Sequence, residues 1–163
     1  MALIPARTKY PFNYCPKYEG HAKGNLELHE GSFGLQALTG SYLKSRTFEA
    51  VRLAVKPLAR KYGWKLHWNV FPHWGKTKKS IGVRMGSGKG SVEEWVAVVK
   101  AGTIILEVIV PKESDLDPKK VKDLEKKMQE ARQMLKGAIH KLPKGEGERR
   151  KKKWRVVEKI QTD

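Results

Sequence analysis

The residues best suited to chemistry form one short stretch, Gly82-Val-Arg-Met-Gly-Ser-Gly-Lys-Gly90, which is rich in glycine, basic and free of acid. Glycines let backbone N–H groups approach an anion with no Cβ in the way; Arg84 offers a planar fork matched to phosphate, and Lys89 a point charge. That is phosphate chemistry, and two nucleotide-binding motifs can be tested against the spacing. A Walker A loop needs Gly, four residues, then Gly-Lys-Ser/Thr; counting back from Gly88-Lys89 reaches Val83, and Gly90 follows the lysine. The Rossmann spacing fails as well, since Gly86, Gly88 and Gly90 give GxGxG. Both motifs open a helix whose N-terminus holds the phosphates. Here residues 91–100 read as a strand. What remains is a basic loop suited to an RNA backbone, or a plain hairpin tip.

The whole chain leans the same way. Its 163 residues carry 34 Lys+Arg against 17 Asp+Glu, a formal charge of +17. A folded domain of that charge repels itself until a polyanion neutralises it, so nucleic acid is the first partner to consider and an anionic membrane surface the second. Enzyme classes find little support. The five histidines are scattered, Cys15 is the only cysteine, and no spacing matches a zinc site or a nucleophile elbow. The expectation is a non-enzymatic protein with no catalytic residue, cofactor or metal. No apolar run reaches the roughly 18–20 residues of a membrane span, and the first thirty residues lack the apolar middle of a signal peptide.

Periodicity then predicts the elements that hold the loop. Residues 1–24 read as an extended arm in which Arg7, Lys9, Lys17 and Lys23 alternate with Tyr10, Phe12, Tyr14 and Tyr18. Such mixing suits RNA, or else rings packed on the domain among solvated lysines. Leu26 and Leu28 predict a short strand, and residues 33–38 a second that Tyr42-Leu43 could extend. A helix is predicted over 46–62 with Ser45 as its cap: Phe48, Val51, Val55, Leu58 and Tyr62 form one apolar face and Gly63 ends it. Beside that face, Arg52, Lys56 and Arg60 recur at four, a stripe able to track phosphates or simply to face solvent. Pro57 within this helix removes a hydrogen bond at a cost of about 3 kcal/mol. Trp64, Leu66, Trp68 and Val70 predict a half-buried strand. Residues 72–90 follow as a long loop with Lys76, Lys78, Lys79, Arg84 and Lys89 and no acid. Residues 95–99 and 103–110 predict a hairpin around Ala101-Gly102, residues 111–118 a linker, residues 121–142 a second helix, and residues 154–157 a last strand. The resulting class is α+β, with two helices packed on a mainly antiparallel sheet. Residues 1–143 are expected to form the domain, including the arm 1–24, and residues 144–163 a basic C-terminal extension.

The loop and its flanks resemble the bacterial and organellar family of large-subunit ribosomal protein sixteen. The resemblance rests on Val83-Arg-Met-Gly-Ser-Gly-Lys-Gly-Ser91 with Trp95-Val-Ala-Val-Val-Lys100, and in order along residues 5–143 on Arg7-Thr-Lys-Tyr10, Lys23-Gly-Asn25, Phe33-Gly-Leu-Gln-Ala-Leu38, Ser45-Arg46, Glu49-Ala50, Phe71-Pro72 and Lys141-Leu-Pro143. It implies a hammerhead-type α+β sandwich bound to large-subunit rRNA and to neighbouring large-subunit proteins. The protein would lie beside the aminoacyl-tRNA site, helping to position tRNA and complete subunit assembly, with no membrane role. In that reading Arg84, Met85, Gly86, Gly88 and Lys89 form the tRNA-site loop. The rRNA contacts are Arg7, Lys9, Lys23, Arg46, Arg52, Lys56, Arg60, Lys76, Lys78, Lys79 and Lys100. The altered arm after Tyr10 and the inserted KGEGERRKKK suggest a mitochondrial ribosome, with a bacterial cytoplasm or plastid as the alternative.

Overall fold

The computed structural model describes residues 3–6, 16–86, 88–110, 124–143 and 153–159. Seven strands and two helices are described: β1 (Phe33–Ala37), β2 (Ser41–Lys44), α1 (Ser45–Tyr62), β3 (Lys65–Trp68), β4 (Trp74–Thr77), β5 (Val92–Val99), β6 (Ile104–Ile109), α2 (Leu124–Ile139) and β7 (Trp154–Glu158). The strands form two antiparallel sheets, one ordered β3-β6-β1-β7 and the other β2-β5-β4. The α+β class expected from periodicity is present, with two sheets where one was expected.

The two sheets meet where two connections cross. Gly102 adopts φ +93, and its N–H donates to Ala37 O at 2.7 Å, while Ala37 N–H donates to Thr103 O at 2.9 Å. At that point β1 gives way to β2 and β5 gives way to β6, so both chains change sheet together. This overturns the hairpin expected over residues 95–110. The turn at Ala101-Gly102 exists, but β5 pairs with β2 and β4 while β6 pairs with β1 and β3.

One core spans both sheets. Phe33, Leu35 and Ala37 of β1, Leu43 of β2, Ala97 and Val99 of β5, and Val108 of β6 pack with Phe48, Val51, Val55 and Ala59 of α1 and Ala131, Leu135 and Ala138 of α2. The helices touch each other; α1 also lies on β2 and β5, and α2 on β1 and β7. Each of these side chains contributes about 1.5–3 kcal/mol on full burial, except the smaller alanines. Trp154 is buried, and its Nε1–H donates to Pro143 O at 3.1 Å, tying β7 to the end of α2. Residues 154–157 thus rejoin the sheet, as expected. The predicted helix over 121–142 is seen from Leu124 to Ile139; residues 121–123, the 111–118 linker and the run 144–152 lie outside the described residues.

α1 begins one residue earlier than predicted. β2 holds Lys44 opposite Val96, and Lys44, extended at φ −70 and ψ 149, occupies the cap position with no side-chain cap bond. Ser45 is therefore the first helical residue. Pro57 sits inside α1 on its exposed face, together with Leu53, whose carbonyl has lost its N–H partner. Water can solvate that carbonyl, which limits the cost of the proline. Gly63 ends the helix at φ +71, as expected from sequence.

The strand predicted around Leu26 and Leu28 does not form. Residues 22–31 instead cross the outer face of the four-stranded sheet as an irregular strap. Asn25, at φ +55, accepts from Ile104 N–H at 2.8 Å, and Leu26 O accepts from Gln36 Nε2 at 3.5 Å. The N–H groups of His29, Glu30 and Gly31 all donate to the carboxylate of Glu107, at 3.4, 3.3 and 2.9 Å. A side chain takes the donors that a strand would have given to a neighbouring strand.

Candidate nucleic-acid interface

The glycine-basic loop is held by the β4–β5 pair. Sequence reasoning placed residues 72–90 in one loop, but Trp74–Thr77 is a strand, with Trp74 opposite Val96 and Lys76 opposite Glu94. Gly75 makes this pairing possible, since a Cβ there would lie 2.9 Å from Val92 Cγ1. The loop is therefore residues 78–91. Its base is closed by Lys78 N–H donating to Ser91 O at 3.1 Å, and by Gly90, where a Cβ would overlap the Lys78 carbonyl. Farther out, Val83 N–H donates to Ser80 O at 3.3 Å, and Lys79 Nζ donates to Gly86 O. Gly82, Gly86 and Gly88 have φ of +87, +108 and +82, the left-handed region open to glycine. Their Cβ positions face open space, so these glycines serve backbone conformation and not close packing. Arg84 and Lys89 are exposed; Ile81 and Met85 are 98% and 95% exposed.

The predicted loop cations thus divide. Lys79 is committed to the loop's own backbone, and Lys78 lies 3.6 Å from Glu93. Arg84 is exposed near the middle of the loop. Lys76 belongs to the strand beneath.

That strand lies beside a surface that sequence reasoning only partly found. In the β2-β5-β4 sheet, the alternation that buries Leu43, Ala97 and Val99 turns Tyr42, Lys44, Trp74, Lys76, Glu94 and Val98 to the opposite face. Tyr42 and Trp74 stack with ring centroids 6.1 Å apart and planes at 25°. Tyr18 meets Tyr42 edge-on at 4.9 Å, and Tyr42 Oη–H donates to Pro16 O at 2.8 Å. At one end of this aromatic cluster, Lys44 Nζ bonds Glu94 Oε1 at 2.9 Å. That bond, opposed by partial burial and reinforced by the charges of Lys44, Lys76 and Arg46, holds Glu94 below the ordinary carboxylate range. Lys44 thus pairs with Glu94 directly, Lys76 lies opposite it across the β4–β5 pair, and Arg46 adds its charge. Lys100 and Lys23 lie at the other end, lining a cleft together with Phe71. Sequence reasoning named Arg46, Lys76, Lys100 and Lys23 but missed Lys44, Tyr42, Trp74 and Phe71. The alternation Tyr42/Lys44 and Trp74/Lys76 was the available signal.

The α1 stripe is less uniform than its spacing suggests. Arg52 is engaged by Glu49 through two hydrogen bonds, one of them Nε to Oε2 at 2.8 Å. The paired guanidinium keeps the Glu49 carboxylate below its usual range. Lys56 is half-buried and Arg60 exposed. Arg7 and Lys9 lie outside the described residues. Among the described residues, no group of three His, Cys, Asp or Glu could hold a metal, and no helix is long and apolar enough to cross a membrane.

A basic, aromatic sheet face beside a glycine-hinged cationic loop has the chemistry of a polyanion-binding protein. Comparison with known proteins gives that class a family. A family-wide sequence profile described as ribosomal protein L16p/L10e matches residues 5–145. The chain is 45% identical over 141 residues to the large ribosomal subunit protein uL16 of Spiroplasma citri, covering 86% of this chain and 91% of that protein. It is 44% identical over 141 residues to uL16 of Mycoplasma capricolum, with the same coverage, and 49% identical over 106 residues to uL16 of Ureaplasma parvum, covering 65% of this chain and 76% of that protein. The chain belongs to the ribosomal protein L16p/L10e family, whose members are ribosomal structural proteins and not enzymes. The mitochondrial assignment drawn from the arm and the tail is not supported, because these relatives are bacterial; a bacterial ribosome is the favoured alternative.

Proposed function

We propose that this chain is a non-catalytic structural constituent of the large ribosomal subunit. It binds the subunit's rRNA through the outer face of the β2-β5-β4 sheet and lays its loop against RNA at the aminoacyl-tRNA site. The carrying observation is the juxtaposition, on one sheet face, of Lys44 and Lys76 with the Tyr42–Trp74 stack, continuing to Lys100 and Lys23, with Arg46 of α1 acting on the same Glu94 carboxylate. Cations on such a face neutralise phosphates, and the loop's glycines leave backbone N–H groups approachable by phosphate oxygens. Arg84, Met85, Gly86, Gly88 and Lys89 form the part directed at tRNA, where Arg84 offers a bidentate fork. Arg7, Lys9, Arg52, Lys56, Arg60, Lys78 and Lys79 complete the proposed rRNA-contacting set, with Lys79 acting chiefly by bracing the loop. Neighbouring large-subunit proteins are the other expected partners, and presence of the chain late in assembly would complete the tRNA site.

The test is co-sedimentation with large subunits across a salt series. The chain should travel with the subunit and detach as salt rises; a chain found only in the ribosome-free pool would refute the reading.

A further inference from the structure

The strap that crosses the four-stranded sheet also walls a cleft of about 690 Å3, lined by Lys17, Lys23, Lys100, Phe71, Asn25 and Asn69 among others, with no acid among the described residues that line it. Its volume falls within the roughly 300–1,000 Å3 of sites that take small ligands. Phe71 is 36% exposed although it is a large apolar ring in a basic surrounding. The backbone beneath it is fixed: Asn69 N–H donates to Ile105 O at 3.1 Å, Asn69 Nδ2 donates to the buried Glu107 at 2.6 Å, and the His73 ring nitrogen lies 3.1 Å from Phe71 O. Asn25 Nδ2 donates to Asn69 O at 3.4 Å, which ties the strap to the same point.

We infer that this cleft takes a single unpaired RNA nucleotide, its base against the Phe71 ring and its flanking phosphates toward Lys17, Lys23 and Lys100. The inference rests on the RNA-binding reading above and names the form of RNA the cleft recognises. A duplex keeps its bases stacked and presents backbone and groove edges, so it has no free base face to set on the Phe71 ring. A splayed base can, because every base has a π-face to set on an aromatic platform. The lysines neutralise the phosphates on either side, and the anchored Asn69–Phe71 backbone means that little order has to be acquired on binding.

The test compares two probes on the full chain by fluorescence anisotropy: a labelled single-stranded RNA containing 2-aminopurine, and an RNA duplex of equal phosphate count. Phe71→Leu keeps apolar bulk without the ring, and circular dichroism checks its fold against wild type. The substitution should weaken single-strand binding about 5- to 100-fold, leave duplex binding within twofold, and leave the slope of log affinity against log salt unchanged. The 2-aminopurine emission change seen with wild type should disappear. Equal loss on both probes, or no loss on the single strand, would overturn the cleft assignment while leaving RNA binding by the sheet face standing. Failure of the wild-type chain to bind either probe would overturn both.

Discussion

Gly31 N–H donates to the Glu107 carboxylate at 2.9 Å, with Glu107 fully buried in β6 and Gly31 at the end of the strap. A Cβ on residue 31 would lie 2.7 Å from Glu107 Cβ, so only glycine admits this approach. Burial pushes the Glu107 carboxyl up, but the bonds from Asn69 and from the N–H groups of Gly31, His29 and Glu30 outweigh it and hold the group below its ordinary value of 4.5. A carboxylate whose folded pKa is depressed contributes stability above its unfolded pKa and loses that contribution as pH falls through the folded one. Stability should therefore decline on acidification below about pH 4.5, measured by denaturant unfolding at stepped pH. Glu107→Gln should cost about 1.5–3 kcal/mol at neutral pH and flatten that decline. An unchanged acid limb in the variant would assign the pH dependence to other carboxylates.

Gly90 should tolerate no side chain, since a Cβ would overlap the Lys78 carbonyl at the base of the loop. Gly90→Ala should lower stability by about 1–3 kcal/mol and speed amide exchange at Lys78, whose N–H closes the loop on Ser91 O. Gly86→Ala meets no neighbouring atom, so its effect should arise from backbone strain at φ +108 and stay within the loop. Amide exchange by mass spectrometry separates the two: equal spread of the disturbance would argue against Gly90 as the closing residue.

Arg84→Ala should leave unfolding within about 0.5 kcal/mol of wild type, because the residue is exposed on the loop. It should impair tRNA accommodation in reconstituted translation more than subunit incorporation. Equal loss of incorporation would mean that Arg84 anchors rRNA instead.

On α1, Arg60→Ala should lower the salt slope of RNA binding by about 1, whereas Arg52→Ala should lower it less, since Glu49 already engages Arg52. Matching slopes for the two variants would show that RNA displaces Glu49.

Much of the fold was legible where periodicity matched burial. Phe48, Val51 and Val55 marked α1, Leu135 and Ala138 marked α2, and Gly63 marked a helix end because only its φ mattered. The errors arose where a partner distant in sequence decided. Residues 26–29 have strand-like alternation, but Glu107 captures the neighbouring backbone donors. Residues 95–110 read as a hairpin because the turn is local, while the division between sheets depends on Ala37 and Thr103. Trp74–Thr77 is too short to announce itself and becomes a strand only alongside β5. The site divides in the same way. Cation type and loop spacing were readable, but which cations stay committed inside the protein, as Lys79 and Arg52 are, depends on contacts that no spacing reveals.

The central claim is that the outer face of the β2-β5-β4 sheet binds rRNA. The most direct measurement is the salt dependence of binding to large-subunit rRNA for wild type and for the combined Arg46→Ala, Lys76→Ala, Lys100→Ala variant. If the face contacts phosphates, the slope of log affinity against log salt should fall by about 2 to 3, with co-sedimentation reduced and the fold retained. An unchanged slope with an intact fold would contradict the account.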